Sequence, residues 1–368
     1  MSEHPAAQDN PVPWGRRLLA LSLLPLGLVA VRVAALNPEW VEEHYSISFF
    51  PRIRGGAQAL SRLVATNLME VVLALVLAVT CMRLLGAAVD LLRGRRSLRN
   101  LFAHGFSRVL RGLGLLYFLF LVCWGFNHAR QPYAVHAQLE PKPVELESLT
   151  ALMDSLVQQC NELRIQLEGA DLLLGDQAFG VDGRILASYG KLAAHTPILS
   201  SDPPILRQAY ASPLLSLLGV SGIYSPFTGE AHLNAEIVPW LKPMVSAHEI
   251  AHFKGFARED EANFIAWQVC SSSPDLGLRY SAAMVALMYV RGALELEAPQ
   301  QAARLQGNLI DQVQQDFADN HRFWSTRRGW LMEFGQATND AYLKSQGQQE
   351  GRMSYGRMVD LLVAASGE

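Results

Sequence analysis

Two histidines four residues apart, His248 and His252, flank Glu249 in the string His248-Glu249-Ile250-Ala251-His252. On a helix this spacing turns both imidazoles to one side, where they can share a metal ion. The carboxylate beside the first histidine then lies close enough to handle a proton of the ion's water. The chemistry this permits is metal-assisted hydrolysis, in which the ion polarises a bond and a side chain moves the proton. An acidic run, Glu259-Asp260-Glu261-Ala262-Asn263, follows six residues after His252. The bland alternative is a helix whose histidines and glutamate are ordinary polar residues.

Zinc in a hydrolytic site takes three protein ligands and keeps a fourth position for water. HExxH supplies two of them, so the third must come from elsewhere. Pro243 suits a first helical turn, and Met244 to Lys254 then form about three turns carrying the motif. Gly255 is a natural stop. A second helix, from about Ala257 to Ser271, is expected to fold back across the first. Glu259 lies at its start, and Asn263 one turn later on the same face, within reach of a ligating histidine.

These residues resemble the gluzincins, in which a second helix carries Glu-x-x-(Ala/Ser)-(Asp/Asn). The resemblance implies Glu259 as third ligand and Asn263 as the residue behind a histidine, with Glu261 as the alternative ligand. It also implies one zinc ion per chain and Glu249 as general base. A metzincin pattern would use Gly255 but needs His or Asp at position 258, and Arg258 cannot bind a metal. Tyr289, Tyr342, Tyr355 and His232 are all candidates to stabilise a developing oxyanion. Residues 222–234 read as a hairpin, either an ordinary surface hairpin or an edge against which an extended peptide pairs.

The elements around this site include a membrane anchor. Three apolar stretches, about 16–36, 66–88 and 109–127, approach the length of about 20 residues that a span needs. The second carries Glu70 near its start and Arg83 beyond a charge-free run. A cleaved signal peptide is the alternative for the first, but no small-x-small cleavage site is evident and further spans follow. Arg93, Arg95, Arg96, Arg99, Arg108 and Arg111 gather between the second and third, which puts that loop in the cytoplasm. Arg16 and Arg17 agree with a cytoplasmic N-terminus. The remainder is then periplasmic or extracellular on a bacterial inner membrane.

Half the residues are hydrophobic and 18% charged, with a mean hydropathy of +0.12, as a membrane-anchored chain would have. The net charge of -3 gives no footprint for nucleic acid. Cys160 and Cys270 fall in the outer domain, without the spacing of a metal site and with a disulfide left open. A linker at 131–146 leads to a domain at 147–368, expected to be mainly α with a small hairpin or sheet, a zincin-like α+β fold. Helices are expected from Leu149 to Leu167, 183–194, 276–294, 301–317, 328–346 and 355–365. The apolar stretch 276–294 is read as a core helix because Arg279 and Arg291 bracket too few residues for a span.

With residues 222–230, 248–264, 339–344 and 354–360, the chain resembles a bacterial family of multi-spanning membrane zinc metallopeptidases. That resemblance implies architecture and no substrate. The expected function is hydrolysis of extracytoplasmic peptides or proteins at the lipid bilayer. A non-catalytic envelope sensor or scaffold, and a zinc amidase acting on cell-wall crosslinks, are the alternatives.

Overall fold

The computed structural model describes residues 14–95, 97–168, 183–199, 203–345 and 355–366. Of the basic residues read as orienting the chain, Arg96 lies outside these, as do the side chains of Arg16, Arg17 and Arg99. The side chain of Tyr355 is likewise outside them.

The three apolar stretches fall on three long helices, α1 (Trp14–Ala35), α4 (Leu68–Leu92) and α5 (Leu98–Cys123). Among the described residues, α4 alone is long and apolar enough to cross a membrane, and α1 offers only the shorter apolar run Leu23–Ala35. α1 and α5 pack together at Gly27, where a Cβ would lie 2.9 Å from the Tyr117 ring. α4 buries none of its apolar surface in the protein. Its first turn is instead fastened at both ends of an exchange. The Glu230 carboxylate accepts from the amides of Leu68 (3.2 Å) and Met69 (2.8 Å), satisfying groups that every helix start leaves orphaned. The Glu70 carboxylate accepts in return from the amides of Tyr210 (3.1 Å) and Ala211 (2.7 Å).

The stretch between α1 and α4 belongs to the packed body beyond it. It comprises α2 (Pro38–Trp40), a π-helical segment Val41–Phe49, and α3 (Phe50–Arg62). Val41, Tyr45 and Phe50 share an apolar cluster with Trp124, Leu206, Tyr224, Ala231 and Phe253. The segment read as a linker is also packed. It contains α6 (Tyr133–His136), and Tyr133 is fully buried against Phe256 and Phe264.

The body then runs through α7 (Leu146–Gln166), α8 (Gly183–His195), β1 (Ile205–Gln208), α9 (Ser212–Leu218), β2 (Gly222–Ser225) and β3 (Glu230–Leu233). After these come α10 (Lys242–Phe253), α11 (Glu259–Ser271), α12 (Leu276–Glu297), α13 (Pro299–Gln306), α14 (Asp311–Ser325), α15 (Trp330–Ser345) and α16 (Tyr355–Ser366). The fold is mostly helical with one three-stranded sheet, ordered β1-β3-β2, with β1 parallel and β2 antiparallel to β3. Gly229 turns this hairpin at φ +66°, and a Cβ there would meet the Gln58 backbone at 3.0 Å.

α12 forms the centre of the main core. It packs on α7, α10, α11, α13 and α16, as a core helix and not as a fourth span. The expected helix at 301–317 is two helices. Asn161 breaks it by donating to the Asn308 carbonyl (2.9 Å) and accepting from the Ile310 amide (3.0 Å). Cys160 and Cys270 are buried and form no disulfide with each other.

Candidate metal centre

α10 starts with proline in its first turn and buries Met244, Ala247, Ile250, Ala251 and Phe253. Its apolar face fixes the rotation that points His248, Glu249 and His252 into a cleft. Gly255 ends it at φ +92°, a conformation glycine adopts without strain. The glycine is also crowded, since a Cβ would lie 2.9 Å from the Phe50 ring and 3.2 Å from Arg130 Nη1. The chain reverses over the five residues Lys254 to Arg258, and α11 returns with Glu259 at its first position.

The reversal brings three donors together. Glu259 Oε2 lies 3.3 Å from His248 Nε2, and its Oε1 lies 3.5 Å from His252 Nε2. One ligand atom from each residue falls within 4.8 Å of the others. Each ring is held from behind. His248 Nδ1 donates to Asn263 Oδ1 at 2.9 Å, and His252 Nδ1 donates to the Phe256 carbonyl at 2.7 Å. Because both partners are acceptors, each Nδ1 carries a proton, and Nε2 is the atom each ring turns toward Glu259 and would offer to a metal. Asn263 is fixed in turn by donating to the Tyr289 hydroxyl at 2.8 Å. Two imidazoles aimed inward by their partners, together with a carboxylate, fit a zinc ion, which would displace the proton and leave a position for water.

Without a metal, the same carboxylate holds a proton on the ring that faces it. Burial opposes a proton on His252, but the Glu259 carboxylate outweighs it and lifts the pKa to about 9. Burial would raise Glu259, yet the two histidines hold it well below the ordinary carboxylate range. Glu249 differs from both. It is buried, its Oε2 has no hydrogen-bond partner among the described residues, and burial pushes its pKa up against the pull of His248 and His252. β2 opens on Gly222, where Glu249 leaves no room for a side chain. A Cβ at Gly222 would lie 2.6 Å from Glu249 Oε1.

Glu261, the alternative ligand, is turned away. It accepts from the Tyr133 amide (2.9 Å) and from Arg258 Nη1 (2.6 Å). Arg258 also donates to the Arg130 carbonyl. Arg130 is fully buried, pairs with Glu42 through two nitrogens, and donates to the Gly255 carbonyl at 3.0 Å. Burial would raise the pKa of Glu42, but hydrogen bonds from His136 and Arg130 overcome it and bring it to about 2. This buried pair braces the turn that delivers Glu259.

The cleft has a volume of about 1170 Å³ and draws its walls from α5, β2, α10, α11, α12 and α15. Of the oxyanion candidates, Tyr289 and Tyr342 line it, and the Tyr342 hydroxyl is 2.8 Å from His128 Nε2. His232 does not line it. It is buried on the central strand, between Arg207 of β1 and Ile223 of β2 in register, and 3.9 Å from Glu230. Tyr355 was named as a candidate, and its side chain lies outside the described residues.

Sequence reasoning missed Trp124 and His128. Trp124 Nε1 donates to the His252 carbonyl at 3.2 Å and its ring meets the His252 ring edge-on at 5.7 Å. Burial pushes the His128 pKa down to about 3, so the ring is neutral beside Tyr342. The available signal was a cluster of Trp, Asn, His and Arg directly after an apolar stretch.

A family model described as a protein of unknown function (DUF3810) matches residues 45–363. No curated protein and no solved structure matches the chain.

Proposed function

The chain belongs to the DUF3810 family, and from the geometry of its site we propose that it is a membrane-anchored zinc-dependent peptidase. One zinc ion would be held by His248, His252 and Glu259. The observation that carries this reading is the convergence of their donor atoms within 4.8 Å while both Nδ1 atoms are engaged elsewhere. Zinc bound there supplies an electrophile for the scissile carbonyl and lowers the pKa of water from about 15.7 toward about 7.

The remaining chemistry belongs to the chain. Glu249 has a buried oxygen free to accept a proton from water and deliver it to the leaving amine. Tyr342, held by His128 at the cleft wall, is placed to donate to the developing oxyanion. β2 is an edge strand that starts against Glu249, so an extended peptide can add to it as a further strand. A scaffold or sensor has no use for a buried free carboxylate beside the ligands, which favours catalysis. The apolar α4 and the arginines after it support anchoring in a bacterial inner membrane with the cleft on the periplasmic side.

The test uses the full chain in detergent. Elemental analysis should find about one zinc per chain, and a peptide library should be cleaved while purified peptidoglycan is not. Absence of metal would end the zinc reading, and cleavage confined to peptidoglycan would move the activity to the amidase class.

A further inference from the structure

We infer that the rim of the cleft rests on the lipid surface, so that the site takes polypeptide tethered to the same membrane. The substrate class rests on the peptidase reading above; the docking does not. The rim is made by α9 and α15, which press together where Gly335 meets the backbone of Leu218. A Cβ at Gly335 would lie 2.5 Å from the Leu218 carbonyl oxygen. Residues 218–220 and several residues of α15 from Gly335 to Tyr342 line the cleft. The outer faces of the same two helices are apolar and exposed: Leu214 (50%), Leu217 (41%), Trp330 (74%) and Phe334 (62%). Leu214 and Leu217 share a face at i,i+3, and Trp330 and Phe334 at i,i+4. Glu333, the acidic neighbour on α15, is about 100° round the helix from Phe334.

The occupant of this face follows from how it is attached. α9 begins directly after Tyr210 and Ala211, whose amides are held by Glu70 in the first turn of α4. α15 is attached to the end of α5, where the Tyr342 ring meets Phe120 edge-on at 5.9 Å. Both rim helices therefore sit at the ends of apolar helices, at the depth where α4 leaves the packed body. The chain around the rim is suited to lipid. No charged residue occurs between Arg207 and Glu230, although Leu214, Leu217, Ile223 and Phe227 are exposed within that stretch. Exposed Tyr210 and Trp330 supply the aromatic groups that favour the membrane–water interface. An apolar surface continuous with a lipid-facing helix is covered by lipid at no extra cost, whereas in water it would stay a large exposed patch. A cleft opening at that height meets segments held close to the bilayer before it meets chains in bulk solution.

The experiment places the full chain in phosphatidylcholine–phosphatidylglycerol nanodiscs with Cys81 replaced by Ala. An environment-sensitive NBD label is attached at L217C, F334C or, as control, R304C on α13, which packs on α7 and α12. Lipids carrying a doxyl quencher should quench the labels at 217 and 334 several-fold more than the label at 304. Equal quenching at all three would overturn the inference, as would label–label self-quenching showing that a second copy covers the face. W330C is the replacement should either labelled variant fail to fold, judged by its elution and thermal melting beside the unsubstituted chain. A second arm offers one peptide sequence free or coupled to a lipid. The tethered form should be cleaved at least about tenfold more efficiently, and the triple variant L214S/L217S/F334S should remove that preference. Equal cleavage of both forms would sink the substrate class. Quenching without any cleavage would leave the lipid docking in place and refute the peptidase reading instead.

Discussion

The two faces of α11 carry the same side chain to opposite ends. Glu259 and Glu261 are two residues apart, which on a helix turns them about 200° from each other. Glu259 finds only the two imidazoles and keeps a third of its side chain exposed to the cleft. Glu261 finds the Arg258 guanidinium and the Tyr133 amide and is buried. A carboxylate whose neighbours are permanent donors is spent on structure. One whose neighbours are two inward-turned imidazoles is left free to serve as a third ligand.

Substituting the two glutamates breaks this contrast most directly. We expect Glu259→Gln to remove most of the zinc and all measurable hydrolysis while the fold persists. Glu261→Gln should keep the zinc and lose about 1.5–3 kcal/mol of stability, the worth of hydrogen bonds to a charged group. Elemental analysis and thermal melting of both full-length variants decide the matter, and the reverse pattern would mean that α11 turns its other face to the metal.

Glu249→Gln should come next in size. Its amide keeps the shape and removes the proton acceptor, so hydrolysis should fall about 10²- to 10⁴-fold at unchanged zinc content. Retained activity would exclude the residue as general base. Asn263→Ala, on the ligand face but one step removed, should weaken zinc binding about 10- to 100-fold, measured by competition with a chelator. No change would show that Tyr289 and the fold orient His248 unaided.

A pH dependence follows from the buried pair that braces the turn into α11. Glu42 holds its proton more weakly in the folded state, at about 2, than an ordinary glutamate does. Its contribution is therefore fully present above about 4.5 and lost as pH falls from there toward 2. Unfolding followed between pH 6 and 2 should show this slope, and Glu42→Gln should flatten it. An unchanged slope would assign the acid sensitivity to other carboxylates.

The ligand face was legible in the sequence because everything it needs lies within sixteen residues and follows the helical period: His248, Glu249, His252, Glu259 and Asn263. Choosing between Glu259 and Glu261 required knowing where Tyr133 and Arg258 would be. The boundary of the packed body was not legible. Its evidence is long-range: Glu42 with Arg130, Ser61 with the Thr228 carbonyl, Glu230 with the start of α4. No local periodicity records such pairs. The break between α13 and α14 depends in the same way on Asn161. His232 looked available as a site residue because alternation along a strand does not reveal that both faces of a central strand are covered.

The bond from Arg54 to the Phe253 carbonyl spans 199 residues. At a synthesis rate of about 5–20 residues per second, α3 exists for roughly 10–40 s before its partner is made. The helix end that supplies His252 thus docks on a part of the body made long before it. A chain still being made therefore has Phe50 and Arg130 in hand before Gly255 emerges, so the turn out of the HExxH helix closes on a surface already waiting for it.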